Sequence, residues 1–242
     1  MSPSHFGEWM QGRLGPKGPV VLVTLACPLP AVRLGTGSEI PLAGAFCAEL
    51  GVTNPDLRVT PLFPPGAGCG VSTASLLKIA GGAEPERLAQ ACVAIEGATD
   101  PLMWPSPDTL LWAPRQGRIV TRLRRPPACE ILGGFFGPPT PTDPADMAFP
   151  DIADLVVRYE AGEALFPLAR ESAIRTTALR GPANDPTAVL ATSLGAVSYA
   201  RAHTGSARAL VFPVGGVPHR AEVVLREAGL SGITRFVTGY SA

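Results

Sequence analysis

The sequence predicts an α+β fold in two halves, the first rich in strands and the second rich in helices. Three observations carry that prediction. Residues 20–27 and 57–62 are short strand-type runs bounded by Gly and Pro. Residues 85–96 and 151–159 repeat apolar side chains at helical spacing. Glycine and proline number 27 each in 242 residues with no Gly-X-Y period, which calls for many tight turns rather than a fibrous chain.

Taken in order, the first third reads as extended chain. Residues 20–27 are rich in Val, Leu and Thr, as suits a strand covered on both faces, and 57–62 form a second strand. A helix is expected over 72–80, where Leu76, Leu77 and Ala80 recur at helical spacing and Gly81-Gly82 ends the run. The next spans 85–96, with Leu88, Ala91, Cys92 and Ile95 on one face and Gly97 where a helix end wants a positive φ. Short strands at 109–112 and 118–123 close this half, and Arg124–Pro127 marks the boundary between domains at 1–125 and 126–242. A strand opens again at 129–133, followed by the proline-laden loop 137–150. Helices follow at 151–159, 165–179 and 187–203, the last from Leu190, Leu194 and Val197 with Asp185-Pro186 at its start. A strand at 209–213, a helix at 218–228 stopped by Gly229 and a strand at 233–237 complete the chain, so that each half has a sheet backed by helices.

Composition narrows the function. The 20 Lys+Arg balance 20 Asp+Glu and leave no basic field for nucleic acid. The apolar run 20–27 has no basic flank and falls far short of the ~20 residues of a membrane span, so a soluble protein without a membrane partner is expected. Five cysteines, odd in number and without a C-x-x-C pair, suit buried thiols in a reducing cytoplasm. Oligomeric state leaves no mark in the sequence.

The chemistry gathers in Pro64-Pro65-Gly66-Ala67-Gly68-Cys69-Gly70-Val71-Ser72-Thr73-Ala74, a glycine-dense turn running from a strand into a helix. Alternating glycines let backbone N–H groups converge without Cβ obstruction, which suits a phosphate; a tight connection without ligand is the other reading. The dinucleotide, Walker and serine-hydrolase patterns all fail, at Val71, at Val71-Ser72 and at Ala74 respectively.

That stretch resembles the phosphate-binding signature of the GHMP kinases, the superfamily of galactokinase, homoserine kinase and mevalonate kinase. Three further stretches are similar to motifs of the same superfamily, and two of them to its L-threonine kinase branch, which serves propanediol utilisation and cobalamin biosynthesis. Phe6-Gly7-Glu8-Trp9-Met10-Gln11-Gly12 resembles that branch's G-E-x-x-Q-G motif, and the stretch from Ala91 to Asp100 resembles its L-C-x-x-x-E-P-T-D motif. Ala202-His203-Thr204-Gly205-Ser206-Ala207 resembles the third superfamily motif. The departures are Val71 for a serine, Ser75 for an aspartate and Phe6 for a cysteine.

The resemblance implies a two-domain GHMP-kinase-like fold, its first half like ribosomal protein S5 domain 2 and its second ferredoxin-like. It implies ATP and Mg²⁺, with a small hydroxyl compound such as L-threonine as acceptor. Residues Pro65, Gly66, Ala67, Gly68, Cys69, Gly70, Val71, Ser72 and Thr73 would hold the ATP phosphates. Ser72 and Glu96 would bind the metal, and Asp100 would orient or accept the proton of the attacking hydroxyl. Gly7, Glu8 and Gln11, with Thr204, Gly205 and Ser206, would face the acceptor, Glu8 holding the ammonium of an amino acid. Read from the residues alone, Ser72 is equally an N-cap, and Glu96 and Asp100 are equally solvated carboxylates at a helix end. His5 could contribute to the acceptor site beside Glu8, although a lone histidine near a terminus is more often a surface residue, and His219, Arg220 and Arg122–Arg125 read as solvated surface groups. Another GHMP kinase, acting on homoserine or another small alcohol, and a silent nucleotide-binding protein are the competing readings.

Overall fold

Strand β1 (Ser4–Arg13) runs through the middle of the molecule, with nine of its ten residues buried. The computed structural model describes residues 4–80 and 82–239. After β1 come β2 (Val20–Cys27), β3 (Val32–Glu39), α1 (Ala43–Leu50), β4 (Arg58–Pro61), α2 (Val71–Leu77), α3 (Pro85–Glu96), β5 (Leu110–Ala113) and β6 (Arg118–Arg122). The second half contains β7 (Cys129–Phe135), α4 (Ala153–Glu160), α5 (Leu165–Arg180), α6 (Thr187–Ser193), β8 (Ser198–Arg201), β9 (Ala207–Phe212), α7 (Ala221–Glu227) and β10 (Ser231–Thr238). This is the α+β class expected, and the proline-rich loop 137–150 carries no regular element.

The two halves do not keep separate sheets. One eight-stranded sheet runs β10-β7-β9-β8-β1-β2-β5-β6, and β3 pairs with β4 in a small second sheet. The reason is β8, which lies where the sequence predicts the end of a helix over 187–203. Gly195 takes a left-handed φ of 70°, α6 stops, and the buried residues Ser198–Arg201 enter the sheet between β1 and β9. The link to β1 is a single pair, Glu8 with Arg201.

Other differences are local. Helix α1 lies inside the stretch expected to be extended and buries Phe46, Cys47 and Leu50. Helix α2 ends at Leu77 because Lys78 and Ile79 close i→i−3 bonds onto Ser75 and Leu76, at 3.1 and 2.9 Å. Of the expected stop Gly81-Gly82, Gly81 lies outside the described residues. The core is continuous across both halves, with Phe6, Trp9 and Met10 of β1 fully buried. Trp9 packs against Phe166 of α5 with the rings tilted, and α5 lies along β1 and β8. No helix among the described residues is long and apolar enough to cross a membrane.

Candidate active site

The glycine turn between β4 and α2 is fastened by its carbonyls. Gly66 O accepts from Thr140 N (2.9 Å), Ala67 O from Ala207 N (2.9 Å) and Gly68 O from Gly7 N (3.1 Å). Three separate segments therefore hold three consecutive carbonyls on the protein side. Among the described residues, the amides of Gly68, Cys69, Gly70, Val71, Ser72 and Thr73 donate to nothing. Backbone donors without partners are rare unless water or a ligand takes them. Packing dictates glycine here: Gly68 has φ +85°, and a Cβ there would stand 2.4 Å from Ala202 Cβ. A Cβ at Gly205 would stand 2.2 Å from the Ala67 carbonyl carbon.

The turn forms one wall of a cleft of about 360 Å³. The facing wall is the end of α3. Glu96 is the last residue of that helix, Gly97 caps it at φ 74°, and the chain turns at once toward Asp100. Thr99 is the anchor of this turn. Its amide donates to Pro114 O (3.0 Å), its carbonyl accepts from Trp112 Nε1 (2.7 Å), and its hydroxyl pairs with Thr73 Oγ1 (3.2 Å). Asp100 N also donates to Thr73 Oγ1, at 3.4 Å, which ties the acid to the first turn of α2. Ser72 donates its hydroxyl hydrogen bond to Glu96 Oε1. Burial raises the Glu96 carboxyl above its ordinary value against the pull of Ser72.

His5 is not a surface group. It is buried between Glu8 and Asp100, with Nδ1 3.3 Å from Glu8 Oε1 and Nε2 3.2 Å from Asp100 Oδ2. Burial works against its charge, but the two carboxylates outweigh it and push the imidazole up to about 9. Burial and Asp100 push Glu8 up to about 8 against the pull of His5. Burial would raise Asp100 too, yet His5 holds it below the ordinary carboxylate range. Glu8 already spends its carboxyl on His5, which weakens its expected role as sole counter-ion to an ammonium.

Most of the residues expected at the site line this cleft: Pro65, Gly66, Gly68–Thr73, Glu96, Asp100, Glu8 and Thr204. The others stand behind it. Ala67 is fully buried and offers only its carbonyl, and Gly7 uses its amide to hold Gly68. Gly205 packs on Ala67, and Ser206 O accepts from Phe136 N (2.9 Å). Gln11 turns away from the cleft: its side chain donates to Arg201 O (3.0 Å) and its amide to Ser172 Oγ (2.9 Å). Ser75 donates to Val71 O within α2, at 2.7 Å. His219, Arg220 and the arginines Arg122, Arg124 and Arg125 are exposed.

Besides His5, the sequence reading missed Arg115, Thr140, Thr142 and His203 in the lining. His203 stacks on Phe149 at 4.0 Å, with the Arg180 and Arg115 guanidinium groups 4.6 and 5.4 Å from the Phe149 ring centre. Burial and these two arginines keep His203 neutral, down to about 3. Only its place inside the third motif hinted at it.

No protein-family model matches the sequence, and no curated protein matches it. Solved structures do resemble the fold. A 4-(cytidine 5'-diphospho)-2C-methyl-D-erythritol kinase shares 17% identity over 99% of this chain and 98% of its own, with a TM-score of 0.55. Homoserine kinase from Cytophaga hutchinsonii shares 14% identity over 98% of this chain and 94% of its own, TM-score 0.58. A phosphotransferase related to the CoA biosynthesis pathway reaches a TM-score of 0.60 at 14% identity, over 99% of this chain and 98% of its own. The chain thus shares the overall fold of these kinases and of this phosphotransferase.

Proposed function

We propose that the protein is an ATP-dependent kinase that phosphorylates the hydroxyl of a small molecule, with L-threonine the leading acceptor. One observation carries the reading: six consecutive unpartnered amides line the same cleft into which Glu96 and Asp100 open. Amides in that arrangement suit the oxygens of a nucleotide's phosphate tail. The residues present also fit a divalent cation, since two carboxylates beside a polyphosphate need one between them; Ser72 and Glu96, already in contact, would hold it. Bound there, Mg²⁺ supplies charge neutralisation of the phosphates.

The chain's own residues account for the rest. Asp100, ionised and tied through its amide to Thr73, accepts the proton of the acceptor hydroxyl. Its position beside the first turn of α2 brings that hydroxyl close to the end of the phosphate tail. Phosphoryl transfer has a loose transition state, so positioning by the loop contributes more than proton removal. The choice of L-threonine, giving O-phospho-L-threonine for the aminopropanol arm of a cobalamin, is supported by the resemblances at Phe6–Gly12 and Ala91–Asp100. Homoserine and other small alcohols are the alternative acceptors, and homoserine is the substrate named for one of the similar structures.

An ADP-release assay over L-threonine, homoserine and other small hydroxyl compounds tests the proposal. Turnover of one of them is expected, and Asp100→Asn is expected to lower kcat by about 10²–10⁴-fold with ATP affinity kept. No turnover of any acceptor by the wild-type protein, or undiminished turnover in the variant, overturns it.

A further inference from the structure

His5 and Glu8 are three residues apart on β1, and in a regular strand they would face opposite sides. Two register shifts, between His5 and Glu8 and between Glu8 and Met10, break that alternation. Gly7 lies inside the first, at φ +77°. Bulges of this kind re-aim side chains beside active sites. Here they put both residues on the cleft side, where the His5 ring spans the gap from Glu8 to Asp100.

We propose that Glu8 and His5 form a buried positioning pair, in which the His5 imidazolium keeps Asp100 ionised and turned to the acceptor while Glu8 keeps the imidazolium charged. The pair rests on the phosphotransfer reading of Asp100, but its own structure can be tested apart from it. The His5 and Glu8 side chains are 3% and 2% exposed, so neither charge is relieved by solvent. Nδ1 also lies 3.4 Å from Gly7 O, while Nε2 and Glu8 Oε2 meet no hydrogen-bond partner among the described residues. The ring thus faces the two carboxylates as close ion pairs and leaves the second oxygen of Asp100 for the acceptor.

The surrounding groups leave His5 alone in this role. The Cys69 thiol, on the loop beside it, is pushed far up by burial and by the neighbouring acids Glu8 and Asp100, and stays neutral. His203, which also lines the cleft, is held neutral by burial and by Arg180 and Arg115. Gly70 lies against the ring, where an added Cβ would stand 2.8 Å from His5 Cδ2, and does not titrate. A divalent cation fits the three side chains less well, although they lie near enough to one another to hold one. An ion would take one ring nitrogen and leave the imidazole uncharged, whereas the two close contacts use both nitrogens.

Proton NMR of the imidazole Cε1–H signals between pH 5 and 10 tests the pair, since the chain has three histidines and His203 is held neutral across this range. The wild type should show one signal with its midpoint near 9, absent in His5→Gln and lowered by about one unit or more in Glu8→Gln. In turnover against pH, His5→Gln should shift the acid limb upward by about one unit and erase the alkaline limb near 9, with the KM for ATP within about twofold of wild type. A His5 midpoint at or below the ordinary 6.5, or a wild-type pH profile in His5→Gln, overturns the proposal. So does stoichiometric zinc or manganese in the purified protein that His5→Gln removes. Should no acceptor be turned over, the phosphotransfer reading fails, and the NMR midpoints in wild type and Glu8→Gln still decide the pair.

Discussion

Replacing Gly68 by alanine tests the cradle, provided that strain is separated from packing. Gly15 offers the control. It has φ +79° with nothing within 4 Å of where a Cβ would stand, whereas a Cβ on Gly68, at φ +85°, meets Ala202 Cβ at 2.4 Å. At either site an alanine in the left-handed region costs about 1–2 kcal/mol, offset by about 0.4–1 kcal/mol from a stiffer unfolded chain. Gly15→Ala should therefore lose about 1 kcal/mol or less. At Gly68 the loop must also retreat by about 1 Å to restore ordinary contact. That retreat strains the bonds from Gly7 N to Gly68 O and from Ala207 N to Ala67 O, each worth about 1 kcal/mol. The expected loss for Gly68→Ala is about 3 kcal/mol by urea denaturation. Its amides leave their common focus as well, so calorimetry should show Mg-ATP binding about tenfold weaker or worse, with Gly15→Ala unchanged. A Gly68→Ala protein as stable as Gly15→Ala, binding Mg-ATP like wild type, would refute the idea that carbonyl fastening shapes the loop.

Glu96→Gln should raise the Mg²⁺ concentration for half-maximal turnover by about tenfold or more; an unchanged requirement would remove Glu96 from the metal site. Stability should fall as pH rises through the neutral range. The stabilisation from His5 is complete below its unfolded value of 6.5 and is lost as pH climbs through about 9, a change on the order of 3 kcal/mol. Burial also raises Glu8 above its ordinary 4.5, so the His5–Glu8 pair as a whole keeps a proton that the unfolded chain releases, and its pH dependence has the same sign. Urea midpoints from pH 6 to 9 should decline in wild type and stay nearly flat in the double variant His5→Gln, Glu8→Gln; parallel declines would contradict both shifts.

What the sequence reveals and what it hides divide along the range of the interactions. Helix α3 is legible end to end because Pro85, the Leu88–Ile95 stripe and Gly97 are local signals within one element. Strand β2 is legible for the same reason. Strand β1 is harder, since burial on both faces removes alternation and its bulges break what remains. Helix α1 starts at Leu42 in a left-handed conformation, φ 63°, with no side-chain cap to announce it. The predicted helix over 187–203 follows the spacing of Leu190, Leu194 and Val197 past Gly195, whose stop signal is present but outvoted. At the site, the loop can be read from its glycines. His5 cannot, because its meaning comes from Asp100, ninety-five positions along the chain and in contact only after folding.

The same distinction explains why the cleft sits where the two halves meet. The loop belongs to the first half, yet the Ala67 carbonyl is held by Ala207 N and the Gly66 carbonyl by Thr140 N, both from the second. Gly205 must lack a side chain to let the 202–207 turn press against Ala67, and Gly68 must lack one to accept Ala202. Each motif therefore contains glycines that the other requires. Neither half could turn the loop's amides toward the cleft alone, because a carbonyl left without its partner would take the peptide plane, and with it the neighbouring N–H, in another direction. The β1–β8 pairing at Glu8 and Arg201 fixes the register of this meeting. Glu8 thus serves twice: its backbone joins the halves, and its side chain charges the histidine that faces Asp100.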